Sequence, residues 1–296
     1  MKPAIYTSQN SKNIALMCVT SIGDALMYLG LAQKLCLAGY DVTLYTGIAV
    51  QLQTWFPAVT LRQLPNDNEL ETALKDFDVI LTIDRPIWQN WALKDERVHV
   101  IPKTAIDHNK GMLENLLTYA QPLFGLSSTN IENPLAAPTA AISRRYAERV
   151  IIHPSSADPI KNWLPQRFVR LAEQLKKRGF HPVFIVSSEE KAQWKNIIAD
   201  AFELPAFADF SQTARYVYES GYMIGNDSGI GHLASCLGVP TLSIFARENR
   251  ATLWRPVWGK NKVVTPYFRL PLKDSPSWKY FLSVKRVLNA FDALIE

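Results

Sequence analysis

The sequence has little of what marks a secreted, zinc-binding or membrane-spanning protein. Its three cysteines, Cys18, Cys36 and Cys236, are odd in number and none belongs to a CxxC pair. This pattern indicates neither a disulfide framework nor a zinc site. The first apolar run, residues 14–19, is too short for a signal sequence or a membrane-spanning helix. We therefore expect a soluble chain in the cytoplasm.

A basic tract is also absent. Lysine and arginine number 32 against 27 acidic residues, and the resulting charge of +5 is dispersed along the chain, so we expect no nucleic-acid partner. An anionic ligand or an anionic membrane surface fits this charge equally well. No DxD-type acidic pair follows a predicted strand, so we also expect no metal. With 296 residues, 48% of them hydrophobic, the chain is long enough for two domain cores.

Short apolar runs alternate with helix-period stretches along the chain. The runs IALMCV, DVTLY, DVILTI and VHVI in the first half predict an α/β fold with a parallel sheet wrapped by helices. The first unit has a strand at residues 14–19, a tight loop at 20–23 and a helix at 24–38. A similar alternation begins at RVIIH, with a helix predicted over residues 165–178 and closed by Gly179.

The segment SSTNIENPLAAPTAAIS, residues 127–143, has the composition of a linker. We place a domain boundary there, with one domain over residues 1–140 and a second over 146–275. Apolar residues repeat at helical spacing through the last twenty positions. Residues 276–296 are therefore predicted to include an amphipathic helix that docks on another surface.

The segment IGNDSGIGHLASCLGVP, residues 224–240, runs from a short strand through a glycine-rich turn into a helix. Backbone N–H groups at a helix start attract anions, so Ser228, Gly229 and Ile230 are predicted to face a phosphate. A carboxylate beside a phosphate would be repelled, and Asp227 is expected to hold the loop through its N–H groups. The alternative is an ordinary N-capped turn.

A second candidate loop follows the strand VIIH, in PSSADPIKNWLP. Ligands of open α/β sheets bind beyond the carboxyl ends of the strands, which places Ser155, Ser156 and Lys161 where a diphosphate would be clamped. Taken alone, Lys161 is interpreted as a solvated lysine, as most lysines are. His153 is expected to pack against the sheet.

Three further segments carry candidate residues in the first half. Asp24 opens the first helix, where a carboxylate can accept a proton from a hydroxyl or simply cap the helix. His108 and Lys110 open a later helix and face either an anionic acceptor or solvent. Residues 85–91, RPIWQNW, supply aromatic side chains suited to sugar or lipid contact, or to core packing.

These segments together resemble the ADP-heptose:lipopolysaccharide heptosyltransferases. The resemblance rests on SIGDALMYL, DHNKGMLENLLTYAQPLFGL, IIHPSSADPIKNWLPQRFVRLAEQL and GNDSGIGHLASCLGVPTLSIF ahead of RATLWRP, and it covers nearly the whole chain. It implies the GT-B fold, with two Rossmann-like domains facing across a cleft and a C-terminal helix returning to the first domain. It also implies inverting transfer of heptose from ADP-heptose to a lipopolysaccharide core or related glycan.

The resemblance implies residue roles as well. Asp24 would be the general base, and Lys161 would contact the donor diphosphate. The other donor-binding residues would be Ser155, Ser156, Asn226, Asp227, Ser228, Gly229 and His232. On the acceptor side we expect Ser21, Gly23, His108 and Lys110. The nucleotide sugar takes the place of a cofactor, and no metal is expected.

The partners expected are a nucleotide sugar and a lipid-linked or core oligosaccharide. We hypothesise peripheral contact with the cytoplasmic face of the inner membrane through basic and aromatic surface. Rival interpretations are a GT-B transferase that uses a UDP- or GDP-sugar, a sugar-nucleotide epimerase, and a catalytically silent nucleotide- or glycan-binding scaffold.

Overall fold

The computed structural model describes residues 6, 12–18, 21–83, 86–131, 133–268 and 276–296. The chain divides into two compact units, Met1–Pro138 and Thr139–Glu296, and the division falls inside the predicted linker. Thr20 of the first predicted loop and Arg85 of the RPIWQNW segment lie outside the described residues.

The first unit is a parallel sheet with helices. Within the described residues its strands are β1 (Asn13–Met17), β2 (Asp41–Thr46), β3 (Thr60–Gln63), β4 (Val79–Ile83) and β5 (Val98–Ile101), in the order β3-β2-β1-β4-β5. Its helices are α1 (Ile22–Leu37), α2 (Leu70–Leu74), α3 (Pro86–Ala92) and α4 (Met112–Phe124), with 3₁₀ turns at Ile48–Trp55 and Lys103–Ala105.

The second unit repeats this plan over the part of the chain that is described. Its strands β6 (Tyr146–His153), β7 (His181–Phe184), β8 (Ser220–Asn226), β9 (Thr241–Ile244) and β10 (Asn261–Val264) lie in the order β10-β9-β8-β6-β7. Its helices are α5 (Pro165–Lys177), α6 (Lys191–Ile198), α7 (Phe210–Tyr218), α8 (Gly229–Cys236), α9 (Glu248–Trp254), α10 (Trp278–Phe281) and α11 (Val284–Ile295), with a 3₁₀ turn at Pro159–Lys161.

The pairs of neighbouring strands in both sheets are parallel, which confirms the α/β class predicted from the alternation. The helix predicted over residues 165–178 is α5, and its apolar stripe of Phe168, Leu171, Ala172 and Leu175 is buried as expected. Gly179 ends this helix with a φ of 88°, a conformation that glycine adopts without steric cost.

The C-terminal tail packs within the second unit. Val287, Leu288, Phe291 and Leu294 of α11 are buried in one apolar core with residues of α5, β8 and β9. The return of this helix to the first domain, which the resemblance implies, stays a prediction. An amphipathic stripe shows that one face of a helix is buried, but it does not identify the covering surface.

Candidate functional site

The loops that follow β6 and β8 lie side by side at the carboxyl edge of the second sheet. The two strands are neighbours, with His153 opposite Gly225 at their ends. A Cβ added to Gly225 would lie 2.6 Å from the carbonyl oxygen of His153, so only glycine allows the strands this approach. The two segments singled out in the sequence are therefore adjacent.

Asn226 ties these two loops together. Its Nδ2 donates to the carbonyl of Pro154 at 2.6 Å, and its Oδ1 accepts from the backbone N–H of Trp163 at 3.0 Å. The side chain is fully buried, so each of these hydrogen bonds replaces contact with water. Asn226 is predicted to bind the nucleotide-sugar donor. In the structure its amide instead holds the loop that carries Lys161.

Asp227, the next residue, holds two cations. Its Oδ2 lies 2.9 Å from Nζ of Lys161 and 3.6 Å from Nη2 of Arg250. The Asp227 side chain is 8% exposed, whereas Lys161 is 28% and Arg250 45% exposed. We expected the carboxylate to hold the loop through N–H groups; instead these contacts place it behind two cations that open toward solvent.

A cavity of about 160 Å³ opens at this point. Its lining includes Asp158, Lys161, Asp227, Phe245, Arg247 and Arg250. Helix α8 begins two residues after Asp227, and the first-turn N–H groups of a helix have no acceptor within it. The N-cap Ser228 makes no side-chain capping bond, and its buried Oγ has no hydrogen-bond partner among the described residues. Cations and free polar donors thus converge at one sheet edge, an arrangement suited to a phosphate.

The two predicted serine ligands instead shape the loop. Ser155 donates to a carboxylate oxygen of Glu190 at 2.9 Å, and Ser187 donates to the same oxygen at 2.9 Å. Oγ of Ser156 lies 2.8 Å from Oδ1 of Asn162. Both predicted hydroxyls are therefore engaged within the protein in this structure.

Of the two histidines in this region, His153 is half-buried and His232 is buried. Nδ1 of His153 lies 2.7 Å from the carbonyl oxygen of Ile185, and burial lowers the pKa of the imidazole. A neutral ring that donates from Nδ1 accounts for both observations. His153 thus packs against the sheet, as expected. His232 is buried in α8.

In the first unit, Asp24 is part of a helix cap. Ser21 is the N-cap of α1 and accepts from the backbone N–H of Asp24 at 3.3 Å, while its hydroxyl donates to the Asp24 carboxylate. Gly23 is the second residue of the helix. One turn further on, burial raises the pKa of Tyr28 well above its ordinary value, with smaller contributions from Cys18 and Asp24. The phenol is therefore neutral near the Asp24 carboxylate.

His108 and Lys110 precede α4 rather than opening it, because this helix begins at Met112. Asn115 holds their loop by accepting from the N–H of Asp107 at 2.9 Å and donating to its carbonyl at 3.0 Å. His108 is exposed. Lys110 lies 3.7 Å from Glu114, which is an exposed i,i+4 pair of little energetic weight.

The RPIWQNW segment forms most of α3, and its first tryptophan is a core residue. Trp88 is buried and makes an edge contact with Trp91, with ring centroids 5.8 Å apart. Core packing, the plainer of the two predicted roles, accounts for Trp88.

The C-terminal tail contacts the loop of Lys161 directly. Nε1 of Trp278 donates to the carbonyl of Ile160 at 3.0 Å, and Nζ of Lys279 donates to that of Pro159 at 2.8 Å. In return, Nε1 of Trp163 donates to the carbonyl of Leu282 at 3.1 Å. The tail thus supports the turn that carries Lys161 on both sides of that residue.

Sequence reasoning missed Arg247, Arg250 and Glu190 as parts of this site. The two arginines follow the strand TLSIF at the edge where the GNDSG loop also lies. Basic residues directly after a strand that neighbours a glycine-rich loop are the signal that would have identified them.

Comparison with known proteins defines the class of this chain. A family model described as glycosyltransferase family 9 (heptosyltransferase) matches residues 88–275. Lipopolysaccharide heptosyltransferase 3 of Escherichia coli is 24% identical over 183 residues. This match spans 55% of the present chain and 53% of that protein, about half of each.

Two solved structures share the whole fold. A family 9 glycosyltransferase from Veillonella parvula has a TM-score of 0.77 at 16% identity, covering 96% of this chain and 97% of that one. The ADP-heptose lipopolysaccharide heptosyltransferase II of Escherichia coli has a TM-score of 0.73 at 17% identity, covering 96% and 98%. The predicted GT-B fold class is confirmed by this likeness and by the two parallel sheets. Since the family model matches more than half of the sequence, the chain belongs to glycosyltransferase family 9, the heptosyltransferase family.

Metal-ligand clusters and membrane-spanning helices are not found among the described residues. Among these residues no group of three or more His, Cys, Asp or Glu side chains is arranged to hold a metal ion. No helix in the same part of the chain is long and apolar enough to cross a membrane.

Proposed function

We propose that this protein transfers heptose from ADP-heptose to a lipopolysaccharide core or related glycan, with inversion at the anomeric carbon. The observation that carries the proposal is the pair of cations on Asp227, Lys161 and Arg250, at a cavity beside the start of α8. Family membership supports the transfer chemistry. The Escherichia coli relative named for ADP-heptose supports this choice of donor.

In the proposed reaction an acceptor hydroxyl oxygen attacks the anomeric carbon of the donor. The bond from that carbon to the diphosphate breaks, and ADP leaves with the electron pair. Lys161 and the first-turn N–H groups of α8 stabilise the negative charge that develops on the diphosphate. Asp24 accepts the proton from the hydroxyl as general base. Attack opposite to the leaving group inverts the centre.

We propose that the transfer needs no metal ion. A diphosphate leaving group requires positive charge, and the described site supplies it through side chains of Lys161, Arg247 and Arg250 that line one cavity. Transfer that persists unchanged in excess EDTA would support this step. Loss in EDTA with recovery on adding a divalent cation would overturn it.

The acceptor proposed is a lipid-borne or core oligosaccharide, reached from the cytoplasmic face of the inner membrane. The second unit exposes an aromatic patch, defined as Tyr267, Phe268, Tyr280 and Phe281, with exposures of 85%, 55%, 65% and 42%. The rings of Phe268 and Phe281 pack edge to face at a centroid distance of 5.2 Å.

Cationic side chains accompany the aromatic patch. The guanidinium of Arg286 lies over the ring of Tyr267 at 3.3 Å from its centroid. Arg167 donates to the carbonyl of Tyr280 at 2.9 Å. Exposed aromatic rings beside cations suit the interface of an anionic membrane. We therefore propose that this patch makes the peripheral membrane contact, and this charge complementarity favours lipid as its partner.

The donor proposal is tested by calorimetric titration with ADP, UDP, GDP and CMP. We expect ADP to bind most tightly and Lys161→Ala to weaken it by about tenfold or more, since a charge-assisted hydrogen bond is lost. Lys177→Ala, at the exposed end of α5, is the matched control and should leave affinity unchanged. Preference for UDP or GDP would indicate that the donor is a UDP- or GDP-sugar. Absence of any nucleotide binding would favour a catalytically silent scaffold.

A further inference from the structure

We propose that Arg250 is a second diphosphate-binding residue, with Asp227 as the internal counter-ion that holds it in place beside Lys161. The inference rests on the proposed function and extends it to a residue of the RATLWRP segment to which the sequence analysis assigned no role. Arg250 would meet the phosphate farther from the nucleoside, and Lys161 the diphosphate as a whole.

Lys161 and Arg250 lie close together because they share one carboxylate. Lys161 and Arg250 both approach one atom, Oδ2 of Asp227, at 2.9 Å and 3.6 Å. The two cations are therefore no farther apart than the sum of these distances, within the reach of one diphosphate group. They come from different elements, the 3₁₀ turn after β6 and helix α9. A shared carboxylate is what brings them together.

The two cations are more exposed to solvent than the carboxylate that they share. The carboxylate is 8% exposed and lies behind the cations, while nearly half of the Arg250 side chain faces solvent. A ligand that enters the cavity therefore meets the guanidinium before it meets the carboxylate. The planar guanidinium offers two parallel N–H donors that match a phosphate, which the ammonium of a lysine does not.

Local stability does not explain an arginine at this position. Arg250 lies in the first turn of α9, where a positive side chain is unfavourable because of the helix dipole. An ion pair that is half exposed on one side also contributes little. A ligand-binding role accounts for the cost better than a structural one.

The charges of the whole cavity agree with this role. Its lining carries three cations, Lys161, Arg247 and Arg250, against two carboxylates, Asp158 and Asp227. Oδ1 of Asp158 is engaged by the backbone N–H of Ile160 at 3.0 Å. The surplus of positive charge is lost if Arg250 is neutralised, and a diphosphate, which carries more charge than a monophosphate, is affected most.

The test compares ADP with AMP on the full chain by calorimetric titration. We expect Arg250→Gln to weaken ADP by about tenfold or more and AMP by less than about threefold, and Arg250→Lys to recover part of the ADP affinity. Arg255→Gln, an exposed arginine just after the same helix, removes the same charge outside the cavity and should change neither. Thermal unfolding of each variant verifies that it is folded.

The outcomes separate the inference from the proposed function. Wild-type protein that binds no nucleoside diphosphate would overturn both. Wild-type binding of ADP that is equally tight in Arg250→Gln and Arg255→Gln would overturn only the role of Arg250. Equal losses of ADP and AMP in Arg250→Gln would contradict its assignment to the second phosphate.

Discussion

The indole Nε1 of Trp278 donates a hydrogen bond to the carbonyl oxygen of Ile160 at 3.0 Å. This bond joins the C-terminal tail to the turn that ends at Lys161, although the two residues are far apart in sequence. Trp278 is buried, so the tail is anchored where it makes this contact. The position of the turn that carries Lys161 thus depends on the last twenty residues.

Replacing Trp278 by phenylalanine keeps an aromatic ring but removes this donor. We expect ADP to bind about two- to tenfold more weakly, because an unsatisfied carbonyl costs about 1 kcal/mol and loosens the turn. Trp194→Phe, in α6 of the same core, is the control, and it should lower stability without changing ADP affinity. Equal ADP affinity in both variants would show that the Trp278 hydrogen bond does not affect ADP binding.

The stability of the protein should fall in mild acid because of His153. Burial lowers the pKa of this imidazole in the folded state, so below the ordinary value of about 6.5 the unfolded chain binds more protons. The contribution of His153 to the free energy of unfolding is therefore fully present above about pH 6.5. It is lost as the pH falls toward the pKa of the folded state.

His153→Gln should reduce this acid-dependent loss, measured by urea unfolding between about pH 7.5 and 5.5. Burial also lowers the pKa of His99, so His99→Gln should remove a separate part of the slope. An unchanged slope in His153→Gln would refute the assignment.

Membrane contact is tested by removing the aromatic patch. The double variant Phe268→Ser and Phe281→Ser should lose binding to anionic vesicles by at least about tenfold, since burying one phenylalanine contributes roughly 1.5–3 kcal/mol. The control is Leu93→Ser, which alters an exposed apolar residue of the first unit. Sedimentation with anionic and zwitterionic vesicles is the measurement. Equal binding of both variants would show that another surface is used.

Asp24 should be required for transfer but not for nucleotide binding. Asp24→Asn keeps a side chain that can accept the hydrogen bond from Ser21, yet it cannot take a proton. Turnover should fall at least about 100-fold, with ADP affinity within about twofold of wild type. Asp41→Asn, which alters an exposed carboxylate paired with Lys12 in the same unit, is the control. Unchanged turnover in Asp24→Asn would leave this residue as a helix cap only.

The sequence predicts most of the fold because periodicity is a local signal. The apolar stripe from Phe168 to Leu175 identifies α5, and Gly179 marks its end. The surface that covers α11 depends on contacts with α5, β9 and β10. Such contacts join distant parts of the chain, and periodicity carries no information about them.

The contrast between local patterns and long-range contacts also explains which parts of the candidate site the sequence predicts. The GNDSG and PSSADPIK loops are recognisable because strand ends and glycine-rich turns are local patterns. The pairing of Asp227 with Arg250 requires α9 to lie beside the β8 edge. The direction of the Ser155 hydroxyl depends on Glu190, 35 positions along the chain. Side-chain partners of this kind follow from the sheet order and not from a motif.

The proposed heptose transfer is tested most directly by incubating the protein with ADP-heptose and a lipopolysaccharide core oligosaccharide that lacks a heptose. Mass spectrometry should find one added heptose on the core and one ADP released for each transfer, with no release when the acceptor is omitted. Release of free sugar without acceptor would indicate an epimerase. Transfer only from a UDP- or GDP-sugar, or no turnover with any donor, would contradict the proposal that this chain transfers heptose from ADP-heptose.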